Sequence, residues 1–190
     1  MDPNDAGVDS FELFVRQYSK PLYNYLKKLT GIGEDAEDLL QEVLIKIAER
    51  LPDLRDPAKI KTWAFRIATN TAIDFFRKRG KFDQVEFDES LLDGDAANSD
   101  IEDEAVVNEM NECIRGEMGR IAPLYHTTLV LYYFEHMAVP EIAKICDISV
   151  PAVKIRLHRG KRLLNRVLTE GCNFYFDKNS NMRCSSKSKQ

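Results

Sequence analysis

The segment 139–168 constrains the fold more than any other part of the sequence, because it predicts two helices joined by a tight turn. The stretch 149–166, which covers most of the second helix, contains six Lys or Arg residues and no acidic residue. A basic helix that follows a short helix and a tight turn is typical of a helix-turn-helix. Ser149 suits the N-cap of the second helix, and Pro151 suits its first turn.

The second helix has two faces of different chemistry. At about 100° per residue, an apolar face and a polar face lie on opposite sides. The apolar face consists of Val153, Leu157, Leu164, Val167 and Leu168. The polar face contains Ile155, His158, Arg159 and Arg162. The apolar face can bind the rest of the protein while the other enters a major groove and neutralises phosphates. The alternative is a solvated basic helix that closes an ordinary bundle.

Charge is distributed unevenly along the chain. The net charge of −4 does not by itself indicate a nucleic-acid binder. Residues 1–81 carry 14 basic and 13 acidic side chains, whereas residues 105–190 carry 13 basic and 8 acidic ones. Residues 82–104 carry ten acidic side chains and no basic one. This middle stretch is expected to be a linker that self-repulsion extends.

The remaining periodic segments predict an all-α protein of two small helical domains. The predicted helices start near Ser10 and cover 34–50, 61–79, 105–121 and 124–136, with Leu51–Lys59 as a loop and Pro21 as a kink or break. The expected parts are an N-terminal tail (1–9), a first domain (10–81), the acidic linker (82–104), a second domain (105–170) and a C-terminal extension (171–190).

A second candidate surface for nucleic acid lies on the predicted helix 61–79. Its polar side brings together Trp63, Arg66, Asn70 and Arg77, with Asp74 beside them. An aromatic ring among cations suits unstacked bases, each of which contributes roughly 1–3 kcal/mol when stacked. Asn can form paired hydrogen bonds with adenine. Two alternatives stay open: the loop folds over the tryptophan and makes it a core residue, and the basic helix end is only solvated.

A third surface lies on the predicted helix 34–50. Asp38, Gln41 and Glu42 are spaced so that they form one patch. An acidic patch cannot favour DNA, so it indicates a basic protein partner. The alternative is a solvated helix face.

Three stretches together resemble the extracytoplasmic-function sigma factors of bacteria. They are EDAEDLLQEV at 34–43, TWAFRIATNTAID at 62–74 and EIAKICDISVPAVKIRLHRG at 141–160. The resemblance covers roughly residues 10–170. It implies two helical domains, called sigma2 and sigma4, that dock on the RNA polymerase core and direct transcription from promoter DNA. It also implies regulation by an anti-sigma factor.

The resemblance assigns roles to the three surfaces. It assigns the patch of Asp38, Gln41 and Glu42 to the clamp helices of the largest polymerase subunit. It assigns four residues to the promoter −10 element, where a base of the non-template strand flips out: Asn70, Asp53, Leu54 and Arg55. It implies that the DNA is melted or held by Trp63, Arg66 and Arg77. It assigns to the −35 major groove Lys154, Ile155, His158 and Arg159, and we expect Arg162 to extend that surface.

The sequence departs from the family pattern in the recognition helix. Pro151 and Ala152 stand where a Gly-Thr pair is usual, and Ile155 stands where serine is common. Isoleucine reads a thymine methyl better than a hydrogen-bond donor, so we expect a different −35 preference. Gly160 replaces the usual alanine, at a cost of up to ~1 kcal/mol in helix propensity.

The C-terminal extension is predicted to form a small hairpin with a cysteine at each end, Cys172 and Cys184. Two cysteines alone cannot complete a tetrahedral zinc site. The extension is therefore a plain addition, a redox- or metal-responsive element or a partner-binding surface. Cys113 and Cys146 fall on apolar helix positions, where burial is expected. We expect neither a disulfide framework nor a cofactor.

Other classes of protein fit the sequence less well. No apolar run approaches the ~18 residues of a membrane span, and the acidic N-terminus is no signal peptide, so a cytoplasmic location is expected. Walker, H-E-x-x-H and G-x-S-x-G motifs are missing, which argues against an enzyme. A stand-alone helix-turn-helix regulator would leave the Trp63–Asn70 surface and the acidic linker without a role.

Overall fold

The computed structural model describes the backbone of residues 5–80, 118–176 and 182–186, and the side chains of residues 10–80 and 118–171. Within these ranges the helices are α1 (Asp5–Thr30), α2 (Gly33–Arg50), α3 (Ile60–Lys78), α4 (Pro123–Leu129), α5 (Val139–Cys146) and α6 (Val150–Gly171). The expected all-α architecture is confirmed. The predicted linker 82–104 and almost all of the predicted helix 105–121 lie outside the described residues.

The first three helices pack into an N-terminal bundle (residues 5–80). Helix α1 begins before Ser10 and continues through Pro21, so the proline does not divide it. The residues after the proline explain this continuity, because Leu22, Tyr25 and Leu26 are completely buried and keep the helix against its neighbours. Tertiary packing thus outweighs the hydrogen bond that proline removes.

The predicted loop 51–59 contains two short 3-10 helices, Leu51–Asp53 and Pro57–Lys59. Asp56 caps the second one, because its Oδ1 accepts a 3.1 Å hydrogen bond from the backbone N–H of Ala58. Such an N-terminal cap fixes the direction in which the chain enters α3.

The C-terminal domain (residues 118–171) is built around the contact between α4 and α6. Helix α4 continues into a π-helical turn, Val130–Phe134. A Cβ atom on Gly160 would lie only 3.1 Å from Cγ of Leu129. Glycine therefore allows α6 to approach α4 more closely than alanine would.

Helices α5 and α6 form the predicted helix-turn-helix. Asp147 takes the left-handed conformation, with φ of 56°, at the end of α5. Oγ of Ser149 accepts a 3.3 Å hydrogen bond from the N–H of Ala152, as expected for the N-cap of α6. Val153 and Leu157 are buried, so the predicted inner face of α6 faces the protein.

The bundle and the C-terminal domain pack against each other through α3 and α5, and through α1 and α4. One continuous apolar core runs through both. After α6, strands β1 (Cys172–Phe176) and β2 (Met182–Ser186) form the expected antiparallel hairpin. In its register Cys172 pairs with Ser186, and Phe174 pairs with Cys184.

Candidate nucleic-acid and partner interfaces

The polar side of α3 forms the first candidate interface. Arg66 and Asn70 are exposed and lie one helical turn apart. Trp63 lies one turn earlier, is half-buried and packs against the apolar core. Trp63 is therefore partly a core residue and partly accessible to a nucleic acid, so each of the two interpretations of its position holds in part. Arg77 is exposed farther along the same helix.

The arginines at this interface are held by carboxylates. Their ion pairs are Arg77 with Asp74 at 2.9 Å, Arg66 with Asp147 at 3.0 Å and Arg79 with Asp35 at 2.8 Å. The guanidinium of Arg79 also lies 4.2 Å from the ring centre of Phe75. These ion pairs restrict the conformations of the arginine side chains, which would move more widely without a partner.

The turn before α3 holds the residues assigned by resemblance to the flipped base. Asp53 and Arg55 are exposed, whereas Leu54 between them is half-buried. The backbone N–H of Leu54 donates a 3.1 Å hydrogen bond to the carbonyl of Leu51. The leucine therefore anchors the turn and leaves the charged residues on either side accessible.

The outer side of α6 forms the second candidate interface. Lys154 and Arg162 are exposed, and His158 and Arg159 are half-buried. Ile155 is 42% exposed, so an apolar side chain lies within this basic surface. A single helix with a basic, accessible face has the shape that fits a major groove.

The acidic patch of α2 is exposed at Asp38, Gln41 and Glu42. Nζ of Lys46 lies 2.6 Å from Oε1 of Glu42 and donates a 3.0 Å hydrogen bond to Oγ1 of Thr71 on α3. This pair of contacts ties one edge of the patch to the neighbouring helix.

Ile45 belongs to the same surface, and the sequence reasoning missed it. Its side chain is 61% exposed. It follows Asp38 by seven positions, which places it on the same helix face. The available signal was an isoleucine outside the buried stripe of the helix, which consists of Ala36, Leu39, Val43 and Ile47. An apolar centre beside acidic groups is common in protein–protein interfaces.

Two titratable side chains of the C-terminal domain have shifted pKa values, the buried His126 and the half-buried Cys146. Burial lowers the pKa of His126 to about 4 and raises the pKa of the Cys146 thiol to about 11. The histidine is therefore neutral and the cysteine protonated at pH 7. Across the described residues, no group of three or more His, Cys, Asp or Glu side chains could hold a metal ion. None of the helices described is both long and apolar enough to span a membrane.

Two family models match the chain. The model described as Sigma-70 region 2 matches residues 14–82, which include α2, α3 and most of α1. The model described as Sigma-70, region 4 matches residues 111–164, which include α4, α5 and most of α6. The α3 interface therefore lies within the first match, and the helix-turn-helix lies within the second.

Curated relatives are similar over almost their full length. RNA polymerase sigma factor SigZ of Bacillus subtilis (strain 168) is 32% identical over 166 residues, which cover 87% of this chain and 91% of SigZ. The ECF RNA polymerase sigma factor SigW of the same organism is 30% identical over 169 residues, with 85% of this chain and 90% of SigW covered.

Solved structures share the fold at lower identity. The sigma factor RpoE of Bartonella quintana, solved with the anti-sigma factor NepR, has a TM-score of 0.61 at 19% identity and covers 84% of this chain and 97% of its own. CnrH, solved with the cytosolic domain of CnrY, has a TM-score of 0.59 at 20% identity and covers 85% and 89%. The chain therefore belongs to the extracytoplasmic-function family of RNA polymerase sigma factors, which direct promoter-specific transcription initiation.

Proposed function

We propose that the two domains of this sigma factor read different forms of promoter DNA. In this proposal the first domain (10–81) reads the −10 element as a single strand, and the second domain (105–170) reads the −35 element as a duplex. The observation that carries the proposal is the difference between the two exposed surfaces: an aromatic and amide face on α3, and a basic helix face on α6.

The α3 face supports recognition of unstacked bases. Trp63 keeps part of its ring accessible, and the exposed amide of Asn70 lies two helical turns away on the same side. Stacking on the ring does not depend strongly on base identity, whereas the amide can select a base by paired hydrogen bonds. Asp53 and Arg55, which flank the anchored Leu54, would hold the flipped base from the turn before α3.

The α6 face supports recognition of duplex DNA. Lys154, His158, Arg159 and Arg162 would contact phosphates and base edges in one major groove. The exposed Ile155 would contact a thymine methyl. A mismatched base pair at that position would cost roughly 1–3 kcal/mol of binding free energy. The −35 preference of this protein would then include a thymine that a serine-containing relative does not select.

The α2 patch is the proposed site for the polymerase core. Asp38, Gln41 and Glu42 supply acidic and polar groups, and the exposed Ile45 supplies an apolar centre. An apolar residue surrounded by polar ones forms the usual arrangement of a binding hot spot. The patch would dock on the clamp helices of the largest core subunit.

An anti-sigma factor is the proposed regulator. RpoE and CnrH, which share the fold, were each solved in complex with a partner, NepR in one case and the cytosolic domain of CnrY in the other. Because this chain has the same fold, we include an anti-sigma factor among its partners. Since the protein acts on RNA polymerase, we expect the active protein in the cytoplasm.

The experiment compares one variant of each DNA surface in the assembled holoenzyme. Asn70→Ala should weaken binding of a single-stranded −10 oligonucleotide by about tenfold and leave a −35 duplex unaffected, because one amide contact is worth roughly 1–3 kcal/mol. Lys154→Ala should weaken the −35 duplex and leave the −10 strand unaffected. Fluorescence anisotropy with labelled DNA measures both.

Both residues are exposed, so neither change should alter folding or core binding, which gel filtration with core polymerase checks. Equal loss on both DNA forms in both variants would show that the domains do not divide the promoter as proposed. Unchanged −10 binding by Asn70→Ala would remove the amide from the proposed site.

A further inference from the structure

Two ion pairs join the N-terminal bundle to the C-terminal domain. Nζ of Lys28 on α1 lies 2.7 Å from Oε1 of Glu135, just after the π-helical turn. The guanidinium of Arg66 on α3 lies 3.0 Å from Oδ2 of Asp147, in the turn of the helix-turn-helix. In both pairs the bundle supplies the cation and the other domain supplies the carboxylate. Both pairs therefore attract the two domains to each other.

The Lys28–Glu135 pair lies in a partly dry environment. The two side chains are only 22% and 14% exposed. Nζ of Lys28 also lies 5.6 Å from the ring centre of Phe134. Because solvent screens a half-buried pair less than a surface pair, this contact can hold the domains together more strongly than its exposed counterpart.

The Arg66–Asp147 pair occupies the proposed single-strand interface itself. Arg66 precedes Asn70 by one helical turn, and its guanidinium contacts a carboxylate of the domain that reads duplex DNA. A carboxylate and a phosphate bind a guanidinium in the same bidentate manner. Asp147 and a DNA phosphate therefore compete for one cation.

The apolar contact between the domains lies next to both pairs. Tyr25 of α1 is completely buried, and this burial is the main reason why the pKa of its hydroxyl is raised. Cys146 and Glu135 of the other domain raise that pKa further by their charge. Helix α5, which ends beside Asp147, packs directly on α3. The ion pairs thus border a packed interface.

We propose that these contacts form an autoinhibitory clasp, in which the C-terminal domain covers part of the α3 interface of the free protein. The proposal rests on the proposed function in one respect, the assignment of Arg66 to promoter DNA. The acidic patch on α2 is exposed in the closed arrangement. Core polymerase can therefore dock before the clasp opens, and DNA can use Arg66 only after Asp147 has left.

The two ion pairs favour the closed form in addition to the apolar contact between the domains. The side chains of Arg66 and Asp147 are 47% and 76% exposed, so their pair should favour the closed form by no more than about fivefold. The less exposed Lys28–Glu135 pair should add about tenfold. Contacts with polymerase and DNA can overcome factors of this size.

The test uses the full chain without polymerase. The double variant Glu135→Gln with Asp147→Asn removes both carboxylates, and asparagine keeps the left-handed conformation that position 147 requires. We expect the radius of gyration from small-angle X-ray scattering to increase. We also expect a single-stranded −10 oligonucleotide to bind at least fivefold more tightly. Glu170→Gln is the matched control, because it removes one exposed carboxylate at the far end of α6 and should change neither quantity.

Charge exchange distinguishes the clasp from a general charge effect. Lys28→Glu alone and Glu135→Lys alone should each open the protein, and the two changes together should close it again. Circular dichroism confirms that each variant is folded. An unchanged radius and unchanged DNA binding in the double carboxylate variant would overturn the proposal, as would a charge exchange that stays open. Opening without any gain in DNA binding would also overturn the autoinhibitory role, and it would trace the failure to the assignment of Arg66 to promoter DNA.

Discussion

The two domains differ in how they treat buried polar side chains. In the N-terminal bundle the buried hydroxyls of Tyr25 and Thr69 share a 2.8 Å hydrogen bond. In the C-terminal domain Nε2 of His126 and Oγ1 of Thr127 are buried without a partner among the described residues. An unsatisfied buried group costs more than a satisfied one contributes. The bundle's part of the common core therefore satisfies its buried polar groups more completely than the part in the C-terminal domain does.

The backbone shows the same contrast. Within the described residues, His136 and Asp147 are the non-glycine residues with positive φ, and both belong to the C-terminal domain. The π-helical turn Val130–Phe134 lies there as well. π-helical turns and left-handed residues are tolerated where tertiary geometry demands them. The C-terminal domain thus contains more irregular backbone than the bundle does. Three experiments test whether the two domains also differ in stability.

The largest expected effect is a loss of stability in acid that depends on His126. Burial lowers its pKa to about 4, whereas the unfolded chain has the ordinary value of 6.5. Between these values the unfolded state binds the proton and the folded state does not, so stability falls as the pH falls. The histidine should account for about 3 kcal/mol of unfolding free energy between pH 6.5 and pH 4.

The measurement is urea unfolding of the parent protein and of His126→Leu across this pH range. Carboxylates titrate in both proteins, so the difference between the two curves reports the histidine. At pH 7 the leucine variant should be at least as stable as the parent, because it removes an unpartnered nitrogen. Parallel curves would mean that the imidazole is solvated and that the two domains do not differ in their buried polar groups.

The second effect concerns the hydrogen bond that is buried in the N-terminal bundle. Tyr25→Phe should destabilise the protein by about 1–2 kcal/mol, because it leaves the hydroxyl of Thr69 buried without its partner. Replacing both residues, Tyr25→Phe with Thr69→Val, should recover most of this loss, since neither group then lacks a partner. Thermal unfolding of the parent, of Tyr25→Phe, of Thr69→Val and of the double variant measures the cycle. A Tyr25→Phe variant as stable as the parent would contradict the claim that this core depends on its hydrogen bond.

The smallest effect concerns the contact between α4 and α6. Gly160→Ala gains helix propensity but forces a methyl group against Leu129, which is completely buried. We expect a net destabilisation of under about 1 kcal/mol, because the clash slightly exceeds the gain. In a Leu129→Ala background the same change should stabilise by about 1 kcal/mol. Urea midpoints give both values. Stabilisation in the parent background would show that α4 and α6 can move apart enough to accommodate the methyl group.

Much of the fold could be predicted because buried faces recur at the helical period. The sequence predicted helices over 34–50 and 61–79, and the structure has Gly33–Arg50 and Ile60–Lys78. The predicted segment 139–168 contains the two expected helices and the turn between them, and Ser149 caps α6 as expected. The exposed positions of Asn70 and the acidic patch also follow from periodicity, because a residue opposite a buried stripe faces solvent.

The contacts between distant elements could not be predicted in this way. Lys28 and Glu135 are 107 positions apart, and their pairing leaves no periodic signal along the chain. The same holds for Arg66 and Asp147. Trp63 lies at the border between the buried and exposed faces of α3, where periodicity alone cannot decide its environment. The π-helical turn depends on tertiary packing and not on local propensity.

The paired arginines of α3 affect how DNA binding responds to salt. When a phosphate displaces Asp74 from Arg77, or Asp35 from Arg79, the freed carboxylate gathers cations from the solution while the DNA releases its own. The net release per contact is then smaller than the ~0.7 ions typical of single-stranded DNA. Affinity on the bundle side should therefore decline gently with ionic strength, and the melted strand would stay bound under conditions in which α6 already releases the duplex.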